Sequence, residues 1–134
     1  MRRVVELDDE STTTSELRQA HLADSHVVKA FDSIFFPHLA SLARPSGDDE
    51  RSALAIAGDD ADAKAEVTRF LDSVGYDAHD VGPLAEGWHY QRDTAAYVAP
   101  YAQPDAADFA TGTRQATSAD LAGLLGQAVR YRDM

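Results

Sequence analysis

Cysteine is absent from the 134 residues, which excludes disulfide frameworks, thiolate zinc sites and Cys nucleophiles together. A cysteine-free chain suits a reducing compartment, so a cytoplasmic location is expected. Basic charge is scarce: 12 Lys and Arg stand against 23 Asp and Glu, for a net charge of −11. A surface of that sign repels phosphate backbones and anionic lipid, so neither nucleic acid nor a membrane is expected as a partner. Lysine is reduced to Lys29 and Lys64, and this Ala- and Arg-rich usage points to a GC-rich prokaryotic genome. No apolar run approaches the roughly 18 residues of a membrane span. Glu6, Asp8, Asp9 and Glu10 follow Met1-Arg2-Arg3 too closely for a signal peptide to be expected. Also missing is G-x-G-x-x-G, the loop whose glycines let backbone amides reach a pyrophosphate. Gly58 is followed by Asp59 and Asp60, which repel phosphate.

What is present predicts one compact domain. Area scaling gives roughly 6,900 Å² folded against roughly 21,000 Å² unfolded, enough for a core without disulfides. Arg2–Leu7 has the composition of a short strand. Thr13 and Glu16 form a capping-box pattern at the head of a helix over 13–23. The Val27, Val28 and Phe31 run predicts a strand over 26–31, and a helix over 33–43 carries Pro37 in its first turn. Ala53–Ala57 is apolar on both faces, as a covered parallel strand must be. Asp59 or Asp60 then caps a helix over 61–74, with Ala63, Val67, Phe70, Leu71 and Val74 on one stripe and Gly75 as its terminator. A third strand over 78–81 closes at Gly82-Pro83. Residues 84–116 lack periodicity and are expected to form an extended arm, and Thr117 with Asp120 caps a last helix over 118–131.

The order β-α-β-α-β predicts a partial Rossmann-type three-layer α/β fold. It would hold three parallel strands with crossover helices, plus the extended arm and C-terminal helix. Residues 1–83 form the Rossmann-type portion and 84–134 the arm and helix. Chemistry is sparse. The five histidines share no helix face, and Asp77, His79 and Asp80 alternate sides of a strand, so no metal site is expected. Lys29 stands in an apolar run near a strand end, where open α/β sheets bind ligands. It reads either as the wall of a ligand crevice or as an edge lysine reaching a neighbouring acid. Trp88 and Tyr90 leave room for a small-ligand binder at the same end.

Three motifs then carry a resemblance: Val28-Lys29-Ala30-Phe31-Asp32, Ala57-Gly58-Asp59-Asp60, and Gly75-Tyr76-Asp77-Ala78-His79-Asp80-Val81-Gly82-Pro83-Leu84. In order and separation they resemble the C-terminal half of the NADP oxidoreductases of the deazaflavin-coenzyme (F-420) reductase type, over about residues 11–100. The resemblance implies hydride transfer between NADP(H) and a deazaflavin or similar acceptor, with the cofactors carrying the reaction and the protein aligning them. It implies that Lys29, Ala30, Phe31 and Asp32 line the cofactor rings. Two departures stand out: Asp32 replaces the family's Asn, and the family's glycine-loop half has no counterpart here. Such a half-domain leaves a sheet edge open, so a homodimer or a complementing chain is expected unless Arg2–Leu7 or the arm caps it. The alternative is a catalytically silent α/β dimerisation or interaction module left from such an enzyme.

Overall fold

The computed structural model describes residues 5–134, and Arg2–Val4 of the expected first strand lie outside them. The rest of that segment is not a strand: Val5–Asp8 (α1) is a helical turn. Thr14–His21 (α2) follows with the predicted capping box, Glu16 N–H donating to Thr13 Oγ1 at 3.2 Å and Thr13 N–H to Glu16 Oε2 at 2.7 Å. Next come Val28–Lys29 (β1), Phe36–Leu42 (α3), Ala53–Gly58 (β2), Ala61–Val74 (α4) and Asp77–Gly82 (β3). A 3-10 helix over Leu84–Tyr90, a second over Ala99–Tyr101, Ser118–Leu125 (α5) and a last 3-10 turn over Tyr131–Asp133 complete the chain.

The sheet is three-stranded, in the order β1-β2-β3, and the α/β class stands as expected. β2 and β3 are parallel, joined through α4. β1 corrects the expectation of three parallel strands: it pairs antiparallel to β2, Val28 with Gly58 and Lys29 with Ala57. The reason lies in α3. Its seven residues rise only about 10 Å, whereas a six-residue strand such as β2 runs about 20 Å. Arg44 N–H, just beyond α3, bonds Gly75 O at the start of the turn into β3. The chain therefore rounds the end of the sheet instead of crossing back over its face, and enters β2 from the end at which β1 left. β1 is also shorter than the expected 26–31, because Phe31 turns into left-handed backbone at φ 65°.

Every residue of β2 is buried, so both of its faces are covered. α4 lies against the sheet with Leu71 fully buried, while Phe70 and Val74 remain 56% and 41% exposed; the predicted stripe is only partly inward. Asp60 is the helix cap, accepting from Ala63 N–H at 2.8 Å, and Asp59 instead accepts from Leu84 N–H at 3.0 Å. Gly75 ends α4 at φ 110°, and a Cβ there would meet Ala43 Cβ at 2.5 Å. Residues 84–116 are no free arm. Tyr90, Ala96, Tyr101 and Ala116 join β2 and Leu121 of α5 in one core, and the buried Tyr101 hydroxyl donates to Ala53 O at 2.6 Å. Val98 N–H reaches Ser33 O at 2.8 Å, tying the arm to the segment after β1. α5 itself is shorter than the expected 118–131, ending at Leu125.

Candidate functional site

The antiparallel entry of β1 brings Lys29 to the carboxyl end of the parallel pair, where open α/β sheets hold ligands. A bulge between Ile56 and Ala57 shifts the register so that Ala57 faces Gly82, which re-aims the strand end. The three motif segments meet here: Val28 pairs with Gly58, Ala57 with Gly82, and Asp59 holds the amide of Leu84. Thr13 of α2 donates to Leu84 O at 3.4 Å, closing the same end from another side.

Each ring-lining candidate has a defined place. The Lys29 ammonium donates to Gly87 O at 2.7 Å, pairs with Asp32 Oδ2 at 3.2 Å and lies 4.4 Å from the centre of the Tyr90 ring. Gly87 permits this approach, since a Cβ there would meet Lys29 Cδ at 3.0 Å. Ala30 packs against the core. Phe31 turns edge-on to Phe70 at 6.1 Å. Burial at the sheet end pushes the Asp32 carboxyl up from the ordinary range, with the Lys29 ion pair pulling it back. Lys29 and Asp32 are thus brought together, whereas Ala30 and Phe31 serve packing. This is the geometry of the edge lysine satisfied by a neighbouring acid.

The same end does not fit a pyrophosphate. The first turn of α4 could present free amides to an anion, but Asp60 already occupies Ala63 N–H. Asp80 adds another carboxylate, held by Lys64 Nζ at 3.0 Å and Gly82 N–H at 2.9 Å. No step through a dinucleotide follows from these residues. His79, flanked by Asp77 and Asp80 in sequence, instead bonds Ser118 of α5 at 2.6 Å.

Lys29 and Trp88, read together from the sequence as a candidate small-ligand site, line a cavity of about 220 Å³ between the start of α2 and Arg130; what the sequence did not show is that Gln91, Arg130 and Tyr131 complete its wall. The Arg130 guanidinium stacks on Trp88 at 4.2 Å. Partners so far apart in sequence leave no local pattern to find.

No family profile matches the chain, and no curated protein matches it. Among solved structures, a protein from Arthrobacter sp. FB24 carrying the name of an F-420-dependent NADP-reductase is 29% identical over 57% of this chain, with a TM-score of 0.47. The chain spans 36% of that protein's length. A likeness of that extent carries nothing about activity.

Proposed function

We propose that this chain is a non-redox α/β interaction module related to the deazaflavin-coenzyme NADP reductases, without a nucleotide grip of its own. One observation supports the reading: at the sheet end where such an enzyme aligns cofactor rings, the groups able to hold a dinucleotide are already bonded within the chain. Lys29 is spent on Gly87 and Asp32, and the head of α4 on Asp60. A second copy or a complementing chain would cover the face where Phe31 meets the exposed Phe70, with Val74 one turn on. Titrating NADPH into the purified chain while following nicotinamide fluorescence tests the reading: no saturable change is expected through millimolar concentration, and saturable micromolar binding overturns it.

A second reading, favoured by the convergence of the three motif segments, is an oxidoreductase fragment. It would transfer hydride between NADP(H) and a deazaflavin or similar acceptor, with Lys29, Ala30, Phe31 and Asp32 as ring-side lining and another chain supplying the glycine loop. In that case the titration saturates, and Lys29→Ala weakens it without unfolding the protein. An unchanged affinity in that variant discards the lining assignment.

A further inference from the structure

The cavity beside Trp88 gathers Arg130, Gln91, Thr14 and Ser15, side chains able to donate hydrogen bonds, within a largely apolar wall, in a chain whose charge is strongly negative. We propose that it binds a small organic carboxylate. The Arg130 guanidinium stacks on the Trp88 face at 4.2 Å, and its hydrogen bond, to Glu10 O, is long at 3.4 Å. Among the described residues it has no carboxylate partner, although the chain carries 23 acidic side chains. Seated over that ring with one long bond, the guanidinium keeps N–H groups to spare, the donors that can grip two carboxylate oxygens at once. Gln91 belongs to the same wall, and its side-chain nitrogen is buried behind it with no acceptor, so that rotation of the amide would turn it toward a ligand oxygen. A buried donor left unpaired costs about 1–3 kcal/mol, which a ligand oxygen would relieve. Thr14 and Ser15 add hydroxyls to the wall.

One carboxylate shares this wall, and it is already committed. Glu10 is only 10% exposed in its side chain and accepts from Tyr131 N–H at 3.2 Å and Arg132 N–H at 3.1 Å, with Arg132 Nε 3.9 Å away. Its charge, and the pairing of Lys29 with Asp32, oppose a dianion such as phosphate. A single negative charge with two acceptor oxygens matches the Arg130 fork instead. Leu7 and the rings of Trp88 and Tyr131 offer apolar surface for a short carbon tail. At about 220 Å³ the space admits a few carbons and no dinucleotide, so this site stands or falls apart from the question of NADPH.

Trp88 is the only tryptophan, so its emission reports the site directly. Butyrate is titrated into the full chain at fixed ionic strength, with butanol as the uncharged match and inorganic phosphate as the rival anion. A saturable emission change with butyrate alone is expected, weakened about tenfold or more in Arg130→Gln through loss of one charge-assisted pair. Gln91→Leu is the second variant: its amide nitrogen has no partner to lose, so the thermal midpoint holds while butyrate affinity falls. A response linear in butyrate, parental affinity in both variants, or phosphate binding as well as butyrate would each overturn the proposal.

Discussion

Tyr90 and Lys29 hold each other twice: the Tyr90 hydroxyl donates to the backbone oxygen of Lys29 at 3.0 Å, and the Lys29 ammonium lies 4.4 Å from the Tyr90 ring centre. Side chain answers backbone, and charge answers ring. The pairing secures the short strand β1 to the 3-10 helix Leu84–Tyr90, and so satisfies part of the sheet edge from within the chain. Burial also drives the Tyr90 phenol far above its ordinary pKa, with the charges of Asp32 and Asp80 adding to the shift.

Tyr90→Phe separates the two halves of this contact, removing the hydroxyl and keeping the ring. The Lys29 oxygen then loses its donor, and a loss of about 1–2 kcal/mol is expected. Urea unfolding of the two proteins measures it, and an unchanged midpoint would show that the carbonyl finds water instead.

Arg51 staples three segments that are distant in sequence. Its side chain is 2% exposed and reaches Asp72 Oδ1 at 2.5 Å, Asp72 O at 2.6 Å, Arg44 O at 3.0 Å and Asp77 Oδ1 at 3.1 Å. Arg51→Met keeps the apolar stem but strands the Arg44 carbonyl and unpairs the half-exposed carboxylates of Asp72 and Asp77, whereas Asp72 O keeps the Gly75 N–H. It should cost about 1–3 kcal/mol in chemical denaturation. Hydrogen bonds from Ser46 and Arg51 hold the Asp72 carboxyl below its ordinary pKa. That contribution is complete above the carboxylate range and fades as pH falls through it. The variant should therefore lose part of the parental acid sensitivity, as read from midpoints at successive pH values.

Burial lowers the pKa of His79, against a smaller opposing pull from Asp80. The unfolded chain then binds a proton near 6.5 while the folded chain still does not, so stability drops as pH falls below that value. Above it the group contributes no slope. His79→Gln can keep a bond to Ser118 without titrating. Relative to that variant the parent should hold a constant stability above neutrality and lose stability as pH falls below about 6.5; a constant difference throughout would remove His79 as the cause.

Gly75 answers two demands together, a φ of 110° and the approach of Ala43. Gly75→Ala is expected to cost more than the roughly 1 kcal/mol of left-handed backbone alone, because the new methyl collides with Ala43. Adding Ala43→Gly should relieve the contact with the Ala43 methyl, but neither the crowding by Ala43 Cα at 2.8 Å and Arg44 N at 3.0 Å nor the backbone strain. A double-mutant cycle separates the two, and full additivity would mean the residues do not touch.

Much of the fold is written in short-range chemistry. Thr13 with Glu16, Asp60, Gly75 and Thr117 with Asp120 each mark a helix end, and each is found in that role. β2 is legible because its apolar run admits no solvent face. The direction of β1 is not, because it depends on where the short α3 leaves the chain relative to β2. Nor does the sequence reveal the packing of residues 84–116, whose anchors Tyr90 and Tyr101 bond carbonyls 61 and 48 residues away. At the candidate site, Lys29 and Asp32 are legible as neighbours, i and i+3. Arg130 over Trp88 is not, since aromatic and cation meet only through the tertiary fold.

Glu10 fastens the peptide amides of residues 131 and 132, so the early and late parts of the sequence are buckled side by side. Opening the chain near residue 131 therefore frees Glu10 as well, so these two amides should exchange their hydrogens with solvent in one joint event.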